Sequence, residues 1–231
     1  MTQTSSSALT AFGGVSRESS ATARQLLDTI VKGLSVEQAI KLAGELFEAV
    51  SVLDSSTSLR RALTDGSREA ADKAKLVSDL FSKSMSAAGL KLMSELVGLR
   101  WSSPSNLGDI LEQLAVEAEA SAANLANELD RLEEELFDFS RIIIADSDLR
   151  QALNSTKYSD EGKRVLVAKL FGGKIASSTN RVFGHLVSGL RGRNIERTIA
   201  FYAAATTARR ERVIAHVQVA VALTDAQKEK L

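Results

Sequence analysis

The chain has no cysteine, a single proline and few aromatic residues, and its charges cancel. The absence of cysteine excludes disulfides and thiolate metal sites, and it fits a protein of a reducing compartment. With Pro104 as the only proline and with abundant Ala, Leu, Glu and Arg, the composition favours helix. The 29 basic and 29 acidic residues argue against a dedicated nucleic-acid binder, which would be clearly basic.

Long apolar segments are missing as well. No apolar run approaches the roughly 20 residues that a bilayer span requires. Residues 1–20 lack a basic segment followed by an apolar core, so they do not resemble a signal peptide. Their Ser, Thr and Gly content predicts a flexible tail over residues 1–17. We therefore expect any association with a membrane to be indirect.

Motifs for cofactor or metal chemistry are also lacking. No phosphate-binding loop occurs, and no glycine-rich dinucleotide fingerprint follows a strand. The two histidines, His185 and His216, are isolated and have no cysteine beside them, so a zinc site is not expected. His185 falls on an apolar helix, where a packing histidine is commoner than a ligand. We expect no cofactor and no catalytic residues.

Two charge clusters have ordinary structural explanations. The run Glu133–Glu135 points in different directions on a helix and predicts a solvated face. Arg209, Arg210 and Arg212 end the last predicted helix, where they favourably meet the negative end of the helix dipole. Docking of an acidic partner is the alternative for these arginines.

What the sequence does contain is an internal repeat with an offset of ninety residues. Four separate segments recur, and almost all matched positions are apolar and fall at helical spacing. The matched residues are Leu42, Glu45, Leu46 and Phe47 with Leu132, Glu135, Leu136 and Phe137; Leu59, Arg60, Ala62 and Leu63 with Leu149, Arg150, Ala152 and Leu153; Lys73, Leu76, Val77, Leu80 and Phe81 with Lys163, Leu166, Val167, Leu170 and Phe171; and Leu96 and Val97 with Leu186 and Val187. Two similar helical cores are therefore expected, with chance matching of Leu-rich helices as the alternative.

Each copy of the repeat is predicted to consist of short helices. The predicted helices are Glu18–Val31, Ser35–Leu53, Ser58–Leu63, Glu69–Ser82, Ala87–Arg100, Asp148–Leu153, Asp160–Phe171, Ser177–Leu190 and Asn194–Arg212. Asp148 and Ser177 are predicted N-caps, and Gly172 with Gly173 predicts a helix stop. The segment Trp101–Ser105 predicts a loop at the end of the first copy, with Trp101 as a packing anchor.

Between the copies, apolar or small residues recur in steps of four and three. The positions are Leu107, Leu111, Leu114, Ala118, Ala122, Leu125, Leu129, Leu132, Leu136, Phe139 and Ile143. This near-heptad pattern, with neither Pro nor Gly after Gly108, predicts one helix from Leu107 to Ala145, about 58 Å long at 1.5 Å per residue. Alternatively, its two halves serve as helices of the flanking bundles.

The end of the sequence changes character. Val213–Leu223 alternates apolar residues at period two and predicts a strand, followed by a helix start at Thr224 and Gln227. A single strand leaves its backbone groups unpaired. We therefore expect either a missing C-terminal piece or a strand that pairs with another molecule.

In five stretches the chain resembles the delta subunit of bacterial F-type ATP synthase, in its long actinobacterial form with a duplicated helical region (the OSCP/delta family). These stretches are Ser16–Glu18, Ser58–Asp65, Arg100–Ser102, the segment from Glu134–Phe137 through Arg141–Ile143 to Leu149–Leu153, and Leu223–Lys228. The resemblance covers about Arg17 to Leu231. The family normally continues with further helix and strand and a glycine pair, so we expect this C-terminal region to be incomplete.

Together these observations predict a mainly α protein in which a duplicated helical bundle is joined by a long helix and followed by the start of a small, truncated α/β domain. The expected divisions are a tail (1–17), a first bundle copy (18–105), a long helix with the second copy (106–212), and the strand and helix start of the incomplete domain (213–231).

The resemblance implies a non-catalytic stator subunit that links the catalytic head to the peripheral stalk, on the cytoplasmic side of the cell membrane. It implies two partners, the N-terminal helix of an alpha subunit and the b subunit of the peripheral stalk. The alpha helix would bind in a groove between the first and fifth helices. Groove candidates in the first copy are Leu26, Leu27, Ile30, Leu92 and Leu96. Filling of the bundle core by these residues, and a free-standing helical adaptor, are the alternatives.

Overall fold

The structure, a computed structural model, describes the backbone of residues 12–213 and the side chains of residues 12–210. Within this range it consists of eleven α-helices and contains no strand, which confirms a mainly α protein. The helices are α1 (Gly14–Val31), α2 (Val36–Ser55), α3 (Thr57–Thr64), α4 (Ala70–Phe81), α5 (Ala87–Gly98), α6 (Pro104–Leu125), α7 (Leu129–Ala145), α8 (Ser147–Asn154), α9 (Asp160–Phe171), α10 (Ser177–Ser188) and α11 (Ile195–Val213). Apart from Val213, which ends α11, the predicted strand and α/β domain lie outside the described residues.

The nine short helices predicted from the sequence are present, but two predicted N-caps are wrong. Helix α8 is capped by Asp146, whose carboxylate accepts hydrogen bonds from the backbone N–H groups of Asp148 (3.0 Å) and Leu149 (2.9 Å). Ser177 is already inside α10, which begins after Ala176. The predicted stop after α9 is confirmed, because Gly173 has a φ of 76°, a conformation that glycine adopts without strain.

Helix α1 begins four residues before its predicted start and takes in the end of the predicted tail. The Ser16 hydroxyl donates to the Asn106 side chain at 2.9 Å and accepts from the Ser102 backbone N–H at 2.7 Å. The Arg17 side chain donates to the carbonyl of Phe12, and the ring of Phe12 is buried. The contacts of Ser16 with Ser102 and Asn106, together with the local contact of Arg17, order a polar segment that composition alone marks as a tail.

The single long helix predicted from Leu107 to Ala145 is wrong, because α6 ends at Leu125 and α7 begins at Leu129. Asn127 adopts a left-handed backbone with a φ of 57°. The N–H of Glu128 reaches back to the carbonyl of Ala123 at 2.7 Å, and the Asn127 N–H bonds to the Asn124 carbonyl at 3.1 Å. This pairing is a Schellman motif, in which asparagine takes the place of the usual glycine. The two halves therefore serve as separate bundle helices, which was the alternative prediction.

The ninety-residue repeat appears directly in the helix boundaries. Helices α8, α9 and α10 begin and end ninety residues after α3, α4 and α5, and α6 begins ninety residues after α1. Helix α6 thus ends the first helical set (α1–α6) and also begins the second helical set (α6–α11).

Sharing of α6 merges the two expected cores into one. The buried apolar side chains of the described residues form a single connected cluster across both sets. Helix α6 contacts α1, α2 and α3 on one side and α7, α10 and α11 on the other. Every residue from Ile110 to Ala123 is therefore buried, including the charged residues Glu112, Glu117 and Glu119. A helix buried on all sides requires partners for these charges.

Candidate functional site

The five predicted groove residues lie on α1 and α5, which contact each other. Leu27, Leu92 and Leu96 are fully buried in the common core. Leu26 and Ile30 are only partly buried and pack against that core from outside. The seam between α1 and α5 thus has a buried floor of three leucines, while Leu26 and Ile30 remain accessible. Partner binding at this seam stays a prediction.

The equivalent seam of the second helical set lies between α6 and α10. Val116 and Ala120 of α6 stand ninety residues after Leu26 and Ile30, and both have no exposed surface. Helix α6 is enclosed because helices of the first set pack on its remaining faces. Along this seam, only the first helical set therefore leaves the matched positions accessible.

A charge cluster joins the loop before α11 to helices α2 and α6. Arg191 donates to Glu112 at 2.9 Å and to Asp54 at 2.7 Å, and it lies 3.2 Å from Asp109. Arg193 also pairs with Glu112, which is 1% exposed. Burial opposes the charge of Arg191, but Glu112 and Asp54 outweigh it and raise the pKa of this guanidinium. Burial raises the pKa of Asp109, and Arg191 offsets part of that shift. The cluster therefore holds the second set against the first.

Gly108 makes room for this cluster. A Cβ atom at this position would lie 2.7 Å from Nη2 of Arg191, so any larger residue would push the guanidinium away. Arg191 itself has a φ of 49°, a left-handed conformation that a non-glycine residue adopts only at a cost. The ion pairs hold it there, because its fork of donors faces several carboxylates at once.

An aromatic stack forms the second contact between the sets. The rings of Phe47 on α2 and His185 on α10 lie 3.9 Å apart and nearly parallel, and Tyr202 on α11 is fully buried 6.2 Å from Phe47. Burial lowers the pKa of His185 from 6.5 to about 4, with a further contribution from the positive charges of Arg164 and Arg181. His185 is thus a packing histidine, as predicted.

A cavity of about 560 Å³ lies beside this stack, between α2 and the helices of the second set. Among its lining residues, Asp54 and Glu112 both pair with Arg191. These pairs neutralise part of the charged lining of the cavity, which lies at the junction of the two helical sets.

The acidic run Glu133–Glu135 is structural rather than uniformly solvated. Glu133 pairs with Arg210, and Glu135 accepts a hydrogen bond from the backbone N–H of Ala176 at 2.9 Å. Of the three side chains, Glu134 is the exposed one. The prediction of a solvated face is therefore wrong for Glu133 and Glu135, because α10 and α11 pack beside α7.

The arginines at the end of α11 are also engaged within the chain. Arg209, which is buried, pairs with Asp28 on α1, and Arg210 pairs with Glu133 and with Asp130 at 2.6 Å. These intramolecular pairs account for both arginines without an acidic partner. The side chain of Arg212 lies outside the described residues.

Neither a metal-binding cluster nor a membrane-spanning helix occurs in the part of the chain that the structure describes. Over this part, no group of three or more His, Cys, Asp or Glu side chains is arranged to hold a metal ion. None of the helices described here is both long enough and apolar enough to cross a membrane. The described residues instead form packed helices with paired charges, which are the features of a helical scaffold.

Comparison with known proteins identifies the family of this scaffold. The profile of the ATP synthase delta (OSCP) subunit family matches residues 116–231. ATP synthase subunit delta of Streptomyces griseus is 40% identical over 95% of this chain and 81% of its own length. The corresponding proteins of Kineococcus radiotolerans and Thermobifida fusca are 38% and 37% identical over 94% of the chain and 79% and 80% of their own lengths. The chain therefore belongs to the ATP synthase delta (OSCP) subunit family, and the resemblance inferred from the sequence is confirmed.

Proposed function

We propose that this chain is a non-catalytic stator subunit of the F-type proton-translocating ATP synthase. It would link the catalytic head to the peripheral stalk and membrane sector during proton-driven ATP synthesis, as a peripheral component on the cytoplasmic side of the cell membrane. Membership of the delta (OSCP) family supports this assignment. A shared central helix with buried ion pairs also suits a part that must transmit force without deforming.

The first proposed partner is an amphipathic N-terminal helix of the alpha subunit, bound at the seam between α1 and α5. The observation that carries this proposal is the accessibility of Leu26 and Ile30 above the buried floor of that seam. The two residues are four positions apart on α1 and therefore share a face, which suits a helix packed alongside. The enclosed positions Val116 and Ala120 favour the first helical set over the second as the binding copy.

Apolar burial would provide most of the binding free energy. Full burial of a leucine or isoleucine side chain contributes about 1.5–3 kcal/mol, although Leu26 and Ile30 are already partly covered and would contribute less. A stator under repeated load needs slow dissociation, and differences in affinity among related interfaces lie mostly in the dissociation rate. A preformed seam supports slow release because little reorganisation precedes binding.

The second proposed partner is the b subunit of the peripheral stalk. The family resemblance assigns this contact largely to the C-terminal part, which includes residues 213–231 and lies almost wholly outside the described range. The described helices therefore provide evidence chiefly for the proposed contact with the alpha subunit.

The alpha contact is tested by titrating a synthetic peptide of the alpha N-terminus, from the same organism, into the full chain by calorimetry. Leu26→Asp should raise the Kd at least about tenfold, because it places a charge in an apolar contact. Leu170→Asp is the matched control, since Leu170 is 42% exposed and lies on α9, which packs against α10 of the second helical set rather than against the seam. It should leave the Kd unchanged.

Circular dichroism accompanies each titration. Leu26→Asp should keep native helicity, whereas Leu92→Asp should lose it, because Leu92 is fully buried. Equal weakening by Leu26→Asp and Leu170→Asp would show that the seam is not the binding site. If the chain also failed to co-purify with the membrane-bound ATPase, a free-standing helical adaptor would be the better assignment.

A further inference from the structure

The cavity at the junction of the two helical sets is lined by more carboxylates than its ion pairs use. Of the four acidic residues in its lining, Asp54 and Glu112 pair with Arg191. The side chains of the other two, Glu48 on α2 and Asp160 at the start of α9, make no ion pair or hydrogen bond within the part of the chain that the structure describes. Each helical set therefore contributes one uncompensated negative charge to the cavity.

The two cations of the lining are engaged elsewhere. Arg164 pairs with Glu161 of the same helix at 3.0 Å, and Arg191 is held by the carboxylates of the charge cluster. Glu48 and Asp160 are both exposed, so a ligand can reach them from solvent. The outer part of the cavity is thus suited to a positively charged ligand.

The buried part of the lining contains polar groups that also lack partners. Tyr202 on α11 is 1% exposed, and its hydroxyl makes no hydrogen bond within the described residues. Burial, followed by the negative charge of Glu112, raises the pKa of Tyr202, so the hydroxyl stays protonated at neutral pH. The imidazole nitrogens of His185 have no hydrogen-bond partner in the described range either. Buried polar groups are normally paired, so these two favour a ligand that carries hydrogen-bond donors.

Apolar side chains complete the lining. Phe47 and Val50 on α2 and Leu190 in the loop before α11 contribute to the cavity wall. These side chains can cover an alkyl chain, whose burial is favourable in water. The lining thus combines separate negative charges with apolar surface.

We propose that this cavity binds a small organic dication, in which an alkyl chain joins two ammonium groups. One ammonium group would pair with Glu48 and the other with Asp160, while the chain lies against Phe47 and Leu190. An ammonium group has three donors, so it can also donate to the Tyr202 hydroxyl. The cavity volume of about 560 Å³ is typical of small-molecule sites. Such a ligand would join α2 of the first set to α9 of the second, whether or not the chain acts in a stator.

Calorimetric titration of the full chain with putrescine tests the proposal. The titration is made at about 0.15 M salt, where a Debye length of about 8 Å screens non-specific attraction. Butylamine is the matched ligand, because it has the same alkyl chain and a single ammonium group. Putrescine should bind saturably with a Kd below about 1 mM, and butylamine at least about tenfold more weakly, since it leaves one carboxylate unpaired. Absence of saturable binding, or equal binding of the two amines, would overturn the proposal.

A pair of double variants locates the binding site. Glu48→Gln with Asp160→Asn removes the two uncompensated charges at nearly constant side-chain size and should weaken putrescine binding at least about tenfold. The matched control is Glu134→Gln with Asp138→Asn, which removes two charges from exposed positions on α7, outside the cavity lining. It should leave the Kd unchanged. Equal weakening in both double variants would mean a non-specific effect of net charge and would overturn the proposal.

Tyr202→Phe tests the buried part of the site without changing any charge. Because the hydroxyl makes no hydrogen bond within the described residues, this variant should keep its native stability in urea unfolding. It should nevertheless raise the Kd for putrescine at least about threefold. An unchanged Kd would show that the hydroxyl does not contact the ligand and would overturn this part of the assignment. If Tyr202→Phe lost helicity in circular dichroism, the comparison of the two double variants would decide the proposal.

Discussion

The first and second helical sets share an order of helices, yet matched residues in them meet different neighbours. Leu26 and Ile30 on α1 are accessible, whereas their counterparts Val116 and Ala120 on α6 are enclosed. The reverse holds for Phe47, which is covered, and Phe137, which is exposed. A duplicated sequence thus produces one seam and one helix face that stay open, each in a different set, because α6 belongs to both sets.

The fifth helix of each set, α5 or α10, is capped at its N-terminus by a matched glutamate, but the groups that donate to the two glutamates differ. Glu45 accepts hydrogen bonds from both the backbone N–H and the hydroxyl of Ser86, each at 2.7 Å. Its counterpart Glu135 accepts from the backbone N–H of Ala176, at 2.9 Å to its nearer oxygen, and its second donor is the Arg131 side chain at 2.7 Å rather than a hydroxyl. The repeated glutamate was visible in the sequence among matched leucines. Its role as a helix cap could be seen only in the structure, because the N–H group that donates to each glutamate lies 41 residues away in the sequence.

The two sets should differ most in how much stability they lose when a matched residue of α6 and α1 is replaced, and Glu112 on α6 is that residue. Glu112→Ala would leave Arg191 and Arg193 without their most buried carboxylate and should lower the free energy of unfolding by about 3–5 kcal/mol. The matched residue Thr22 on α1 bonds only to the Glu18 carbonyl at the surface, so Thr22→Ala should change stability by less than about 0.5 kcal/mol. Urea unfolding followed by circular dichroism measures both. Similar losses in the two variants would remove the distinction between α1 and α6.

His185, which lies at the junction between the two sets, should make the free energy of unfolding depend on pH. Because the folded-state pKa of His185 is lowered from 6.5 to about 4, the unfolded chain binds the proton first as the pH falls. Stability should therefore decrease from pH 6.5 to 4, by up to about 3 kcal/mol from this group. His185→Phe keeps an aromatic ring against Phe47 and should remove that part of the loss.

The check on His185 is a set of urea unfolding curves between pH 7 and 4 for both proteins. The carboxylates titrate in each, so the difference between the curves isolates the histidine. His216→Phe is the control for the other histidine and should leave the junction contribution in place. Parallel pH profiles for the natural chain and His185→Phe would contradict the lowered pKa.

The smallest expected effect concerns the caps of α5 and α10. Ser86→Ala removes the hydroxyl that accepts from the Gly89 N–H and should cost about 1 kcal/mol. Ala176→Ser introduces a hydroxyl at the matched position and should stabilise by up to about 1 kcal/mol. Thermal unfolding of the single and double variants provides the measurement. A stabilising Ser86→Ala, or a destabilising Ala176→Ser, would mean that the two caps are not equivalent.

Much of the helical framework was predictable because its signals are local. The spacing of apolar residues located the short helices, and Gly172 and Gly173 marked the end of α9. The prediction of one continuous helix from Leu107 to Ala145 was wrong because Asn127 adopts a left-handed backbone conformation that ends α6. Glycine is the usual residue at such a position, and the sequence has none there. For the groove, spacing identified apolar positions on α1 and α5 but could not separate buried Leu27 from accessible Leu26, since both are apolar residues of one helix.

The sequence by itself determined the mainly helical character, the ninety-residue repeat and the family of this protein, because each depends on residue types at fixed spacing. The tertiary structure alone decided that α6 serves both sets, that Glu112 is buried between them, and that Leu26 and Phe137 face outward. Burial is a property of the neighbours that surround a side chain. In this chain, those neighbours are often dozens of residues away, as Arg191 is from Glu112.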